Sequence, residues 1–581
     1  MKFFHVYDER YYEGLVKNNF INEDTGYKLM NVFRMPEDKH FNTIAAKGSR
    51  LHSLIKENKT PFYIDRIAGG TWYRKWDYDK ELIQEYADIL GEWFLGFQHH
   101  ESASNRILCD WEDIRTKTGS NGPYDINLLN EIFVNKGADS LYGGTGDNIT
   151  LLSHGTTEDY APFKCPETEE ELFADLLRMY KDRMDDVDGH ILPCDSYYLL
   201  PKLHDELGMR SFMPEVGWQI EQTRLAVALA RGVAEGSGKL WGLYYEPWFI
   251  DDELGYTIPN FNKEVENEWY HNEQNPVPIV LNSGPNGGPS GLLQSRIYHY
   301  ALMAGADYMS EEWGHNCSYA SKKTFELSSY GLIKKDFIEF ARGYKTVKPV
   351  IPFAIVLPLS FKCVQIWNVE NPWEFGKRSD MYMGRPFASK ERGEYINHIE
   401  DVLKFIYARN GKIYGNESFV MTNSRFGDLF DIIYEDASDE VLGKYEALID
   451  ATPDSTFAAK KGKDFRVLES ADFDKLENDI RTLTDEVMPV TVDKLHWLVS
   501  KDAESRRFLS IFNNEGNQRS SKIGDTLIRE ADTRVKVSFK VPTELSPIKL
   551  SSDEVGIERT DAATYYVDVP AAGFAIFEYR G

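Results

Sequence analysis

At 581 residues, the chain is too long for one ordinary domain and predicts two to four. Its 66 basic and 93 acidic residues leave a net charge of −27, which excludes nucleic acid and anionic membrane surfaces as expected partners. Five scattered cysteines without CxxC spacing argue against a disulfide framework and a structural zinc site, and suit a reduced compartment. The N-terminus turns charged after six residues, too soon for a signal peptide, and no run of about 18 apolar residues follows, so a cytoplasmic protein is expected. Aromatics reach 13%, with 12 Trp, a richness that suits stacking on flat ligand faces as well as large cores.

In chain order, strand candidates are Lys28–Phe33, Pro61–Arg66, Phe94–His100, Ser140–Gly144, His190–Asp195, Phe212–Val216, Leu240–Glu246 and Asp307–Glu312. Helical patterns lie between most of them: Phe41–Glu57, Lys80–Gly91, Glu169–Asp185, Gln219–Ala234 and Gly291–Ala304. Alternating strand and helix implies parallel strands with crossover helices, and eight units in about 320 residues match a (β/α)8 TIM barrel. Phe3–Val6 and Pro278–Asn282 are further strand candidates, and a doubly wound open sheet is the alternative architecture. From Lys348 a small α/β domain is predicted, with strands at Val350–Leu357, Phe430–Tyr434 and Ala447–Asp450 and helices at Glu394–Ala408 and Glu440–Glu446. Lys494–Val499, Arg507–Phe512, Thr533–Phe539 and Ala572–Glu578 alternate apolar and polar residues and predict an antiparallel β-sandwich. The expected domains are a barrel over 1–345, an α/β domain over 346–485 and a β domain over 486–581.

In a barrel, functional groups gather at the carboxyl ends of the strands. Nearly every predicted strand here ends in one: Asp65-Arg66, His99-His100-Glu101, Asp147, Asp195, Glu215, Glu246 and Glu311-Glu312. Three of these acids travel with tryptophan: Glu215 with Trp218, Glu246 with Trp248, and Glu312 with Trp313. Indole faces stack on the C–H faces of pyranose rings, and carboxylates bind sugar hydroxyls, so a carbohydrate substrate is expected. Gly143–Gly146 lacks the Lys-Ser/Thr of a phosphate loop. Glycoside hydrolysis needs two carboxyl groups, a proton donor and a nucleophile or base. Glu246, which closes a buried strand before Pro247, is the leading catalytic candidate, with Glu101 or Glu215 as its partner. Asp65, Arg66, His100, Asn105, Trp218, Tyr245, Trp248, Glu312 and Trp313 are the expected sugar-binding set. One of Glu311 and Glu312 is expected to point away. His99 and His100 look like a metal pair, but neighbours on a strand face opposite sides, so neither a metal nor a cofactor is expected.

The segment Gly291-Leu-Leu-Gln-Ser-Arg-Ile-Tyr-His-Tyr-Ala-Leu-Met-Ala-Gly-Ala-Asp-Tyr-Met309 resembles the last barrel helix of clan A glycoside hydrolases, where an Arg precedes an Ala-x-x-x-Gly-Ala-Asp turn into strand eight. The domain order is similar to that of the family 42 β-galactosidases: a barrel, an α/β domain resembling a glutamine amidotransferase fold, then a small β domain. The resemblance implies a retaining glycosidase whose nucleophile closes strand seven, a position that falls on Glu246. It also implies a homo-oligomer, a trimer or a dimer. The family's acid/base Glu ends strand four after an Asn. This chain has no such pair there; its nearest substitute, His100-Glu101, fits strand four only if Phe3–Val6 is strand one and Ser140–Gly144 is not a strand. Cys363 in Ser-Phe-Lys-Cys-Val lacks the glycines of an amidotransferase elbow, so that chemistry is not expected. An inverting glycosidase or a glycoside phosphorylase is the enzymatic alternative, and a non-catalytic carbohydrate-binding or assembly protein is the other.

Overall fold

The computed structural model describes residues 1–30, 41–65, 67, 78–100, 103, 169–195, 199–217, 223–246, 249–251, 255–257, 290–312, 318–319, 324–362, 390–407, 420–520, 524–528 and 530–580. Its N-terminal part is a parallel barrel. Strand one is Lys2–Tyr7, two Thr25–Met30, three Phe62–Asp65, four Phe94–His100 and five Ile191–Cys194. Strand six comes in two pieces, Ser211–Phe212 and Glu215–Gly217; strand seven is Leu240–Glu246 and strand eight Tyr308–Glu311. The order around the barrel is five-four-three-two-one-eight-seven-six, with every pairing parallel. Strands five and six share no ladder, but the Glu215 N–H donates to the Asp195 carbonyl at 3.2 Å, which nearly closes the ring at its carboxyl end.

The strand count expected from sequence is corrected at its start. Lys2–Tyr7 is strand one, so Phe94–His100 becomes strand four. A short N-terminal run with a histidine in it carries little periodic signal, and its pairing with both Thr25–Met30 and Tyr308–Glu311 is non-local. The expected helix over Phe41–Glu57 is two helices, Phe41–Ile44 and Arg50–Asn58, the second capped by the Ser49 side chain. Ser140–Gly144 and Pro278–Asn282 lie outside the described residues.

Aromatic side chains fill the barrel. Phe4, Tyr63, Leu95, Leu192, Cys194, Met213, Tyr244 and Tyr308 form an apolar cluster separate from the larger core between strands and helices. Space for these rings comes from small neighbours: a Cβ at Gly242 would stand 2.3 Å from the Tyr308 ring. A register shift between Phe62 and Tyr63 pairs them with Phe94 and Gly96, leaving Leu95 as an extra residue on strand four. Gly96 takes φ +93°, which a side chain would resist. From there the pleat alternates, so Phe97 and His99 face the helices while Gln98 and His100 face inward.

Beyond the barrel, four parallel strands run in the order Phe430–Tyr434, Phe353–Leu357, Ala447–Asp450 and Val467–Glu469, with helices Lys390–Tyr407 and Phe473–Val487. The C-terminal residues form antiparallel sheets. One orders Lys348–Pro349, His496–Lys501, Arg507–Phe512, Phe574–Arg580 and Glu544–Leu550; another orders Val490–Val492, Arg534–Phe539, Thr564–Asp568 and Gly556–Arg559. Lys348–Pro349, placed by sequence in the α/β domain, is thus an edge of the antiparallel sheet. No helix among the described residues is long and apolar enough to cross a membrane.

Two barrel helices are buried on more than one side because these sheets cover them. Thr223–Ser237, between strands six and seven, lies so close to Phe430–Tyr434 that a Cβ at Gly232 would stand 2.3 Å from the Ile432 carbonyl oxygen. Its Arg231 donates to Asp431 at 2.6 Å, and Arg224 donates to the Gly427 carbonyl at 2.6 Å. Gly291–Met303, between strands seven and eight, sends Tyr300 to Asp428 at 2.8 Å and Arg296 to the Ala572 carbonyl. Burial disfavours the Arg231 charge, but Asp431 and Asp428 outweigh it and hold the guanidinium more firmly protonated than usual. Both helices that flank strand seven are therefore clamped by the added sheets.

Candidate active site

The inward pleat delivers a set of charged groups near the carboxyl ends of the strands, in two levels. The lower level is an ion pair inside the barrel. Lys28 of strand two is 1% exposed at its side chain, and its ammonium donates to Asp65 of strand three at 2.5 Å and to the Glu311 carbonyl at 2.5 Å. The Tyr244 hydroxyl of strand seven donates to the same Asp65 carboxylate at 3.0 Å, and Lys28 Nζ lies 4.9 Å from the Tyr244 ring centre. A buried charge is tolerated only when paired and hydrogen-bonded, and this one is both.

The upper level is a set of acids around one imidazole. His100 Nε2 of strand four stands 3.8 Å from a Glu215 carboxylate oxygen of strand six and 3.4 Å from one of Glu312, which follows strand eight. The side chains of all three are at most 7% exposed. The His100 ring meets the Tyr244 ring edge-on, centres 5.4 Å apart at 68°, which ties the upper level to the lower. Glu246 closes strand seven with no exposed surface. It is paired in register with Gly217, and a Cβ there would come within 2.4 Å of Glu246 Cγ. Glycine at 217 is what allows the Glu246 side chain to lie against strand six.

Of the residues expected from sequence, the structure gathers Asp65, His100, Glu215, Glu246 and Glu312 at one end of the barrel. Asp65 takes Lys28 as an ion-pair partner; Arg66, its expected partner, lies outside the described residues, as do Glu101, Asn105, Trp218, Trp248 and Trp313. Glu311 points outward, where its carboxylate accepts from Lys334 at 2.6 Å and from Tyr298. Tyr245 corrects an expectation. Residues on either side of it on strand seven face inward, so it faces the helices, its ring 5.8 Å from Tyr298, and does not line the mouth. Lys28 and Tyr244 were not among the expected site residues.

His99 and His100 do face opposite sides. His99 packs on Tyr180, centres 5.3 Å apart, and burial with Arg183 nearby keeps it neutral, well below the usual imidazole range. Among the described residues, one group has the donor set for a metal ion, and it uses only one of the two histidines: His100 with Glu215 and Glu312, whose ligand atoms lie within 4.8 Å of one another. On the strand-five side, Asp195 accepts from the Ala103 N–H at 2.8 Å and so anchors the chain just beyond strand four.

No family model matches the sequence, and no curated protein does. Among solved structures, the chain is similar to α-L-fucosidase isoenzyme 2 from Paenibacillus thiaminolyticus, at 11% identity and TM-score 0.43, over 99% of this chain and 96% of that one. It is also similar to the catalytic module of a family 98 glycoside hydrolase from Streptococcus pneumoniae, at 8% identity and TM-score 0.39, over 99% and 98%. Likenesses this distant assign no activity, and the family 42 resemblance rests on the residue pattern of the chain alone.

Proposed function

We propose that the protein is a glycoside hydrolase acting on oligosaccharides or small glycosides through two carboxyl groups, with retention of configuration. The observation that carries this reading is the buried set Glu215, Glu246 and Glu312 with His100, gathered at the carboxyl ends of strands in a parallel barrel. Glu246 is the nucleophile and Glu215 the acid/base. The two face inward on adjacent strands, two residues apart in register. Strand spacing and rise then put their Cα atoms roughly 8 Å apart, a gap that flexible glutamate side chains close to the span of one glycosidic bond.

In the first step Glu215 donates its proton to the leaving oxygen while the Glu246 carboxylate attacks the anomeric carbon. In the second, Glu215 takes a proton from water, which displaces Glu246 and restores both groups. Glu312 and His100 bind and orient sugar hydroxyls beside the reacting carbon. The Lys28–Asp65–Tyr244 floor holds His100 and strand seven in place from below.

The test is turnover of activated aryl glycosides by wild type and Glu246→Gln, with the first-formed anomer read by NMR. Loss of the nucleophile is expected to lower kcat by roughly three orders of magnitude or more. Normal turnover by Glu246→Gln rules the assignment out, and a first product of inverted configuration replaces the nucleophile role with that of a base. Tight sugar binding with no turnover across a broad panel would favour a carbohydrate-binding protein.

A further inference from the structure

We propose that His100, Glu215 and Glu312 form a binding site for a divalent first-row transition ion such as Zn²⁺, with His100 Nε2 and one oxygen of each carboxylate as ligands. The site goes beyond the glycosidase reading and does not depend on it. Strands four, six and eight each supply one ligand, so the group is assembled by the barrel and not by neighbouring residues in sequence. The separations are informative. At 3.4 and 3.8 Å, His100 Nε2 is beyond good hydrogen-bond distance of both carboxylates. Ligands at about 2.0–2.2 Å from a tetrahedral ion stand roughly 3.3–3.6 Å apart; the His100–Glu312 separation of 3.4 Å matches an edge of such a shell, and the other separations, up to 4.8 Å, are wider. Closing the shell brings the Glu215 and Glu312 carboxylates towards one another around the ion.

Charge gives a second, independent reason. Two buried carboxylates with oxygens within 4.8 Å repel each other when both are ionised, and a proton or a cation between them relieves that repulsion. The proton-bearing form is the one the glycosidase reaction uses. The cation-bearing form is the alternative state of the same pair, and His100 selects which ion fills it. An imidazole beside two carboxylates suits Zn²⁺ or Mn²⁺, whereas Ca²⁺ takes six to eight oxygen ligands. Behind the ligands, the edge-on Tyr244 ring, fixed through Asp65 and Lys28, restrains His100 as outer-shell groups restrain metal-bound histidines. Three protein ligands leave a further position for water. Because Glu215 cannot ligate the ion and deliver a proton at once, cation binding and glycoside turnover exclude one another.

The test is isothermal titration calorimetry of the full chain, freed of metal with a chelator and dialysed, against ZnCl₂ and then CaCl₂. Wild type is expected to bind one Zn²⁺ per chain, more tightly than Ca²⁺. His100→Gln and Glu312→Gln are each expected to weaken Zn²⁺ binding about a hundredfold, with folding checked by circular dichroism. Should both variants fail to fold, anomalous diffraction from a Zn²⁺-soaked wild-type crystal decides, and a peak between His100, Glu215 and Glu312 is expected. No Zn²⁺ binding by wild type, unchanged affinity in both folded variants, a preference for Ca²⁺, or an anomalous peak elsewhere overturns the proposal. Calorimetry involves no substrate, so its outcome is separate from that of the Glu246→Gln turnover test.

Discussion

The buried pair Lys28–Asp65 makes a prediction about stability that can be worked from its geometry. Lys28→Met removes an ammonium that donates at 2.5 Å to a carboxylate with no exposed surface. Breaking one side of a buried pair typically costs about 3–5 kcal/mol, because the remaining charge keeps its desolvation penalty and loses its compensation. Asp65→Asn is expected to cost a similar amount by leaving the ammonium inside the barrel without its counter-charge. The double variant is the informative one. It carries no buried charge at this position, and the amide oxygen that Asp65→Asn introduces still accepts from the Tyr244 hydroxyl. Its cost should be about 2–3 kcal/mol rather than the sum of the two. A double-mutant cycle should therefore return a coupling energy of at least about 2 kcal/mol. Urea unfolding followed by circular dichroism, with the same m value across the set, measures it. Single variants within about 1 kcal/mol of wild type, or effects that add within about 0.5 kcal/mol, would refute a paired charge at the floor of the mouth.

The remaining predictions use other parts of the molecule. Gly232→Val pushes side-chain carbons into the Ile432 carbonyl and should lower stability by about 2 kcal/mol, seen as a lower melting temperature; an unchanged one would mean the helix does not dock on that strand. Burial lowers His204 to about 3, and lowers His299 and His496 to about 4, from an ordinary 6.5. The unfolded chain then binds more protons than the native one below about pH 6.5, so stability should fall as pH drops from there towards 4. Asp186, raised by burial to about 6, works in the opposite direction, as do Asp307 and Asp431, which burial also raises, but the imidazoles outnumber them because burial lowers His5, His99 and His190 as well. Melting temperatures from pH 7.5 to 4.5 check the sign, and a flat profile would contradict it. Glu246→Gln should abolish glycoside turnover while leaving the melting temperature within a few degrees of wild type. A collapse of the fold would instead make Glu246 structural.

Much of the site was legible because a strand announces its own pleat. In Leu240–Glu246, alternation alone separates Tyr244 and Glu246 from Tyr245, and applying it strictly would have kept Tyr245 out of the sugar-binding set. The same rule separates Glu311 from Glu312. Lys28 also had a signal, a lone cation in the apolar run of strand two, but one residue cannot announce a partner on the next strand. Arg224 and Arg231 lie seven residues apart on one face of a mostly apolar helix, a pattern that marks a buried charged stripe once the helix is known to be covered.

Local chemistry in the chain determines which residues form strands and helices, that the strands end in acids, and which pleat each acid occupies, because these depend on periods of two and 3.6 residues along a single segment. It does not determine which strand is first, that strands four, six and eight bring His100, Glu215 and Glu312 together, or that the added sheets clamp the helices beside strand seven. Those follow from pairings between segments far apart in sequence, from the register shift at Gly96 that turns His100 inward, and from the closure of strand five towards strand six, none of which leaves a mark on any one segment.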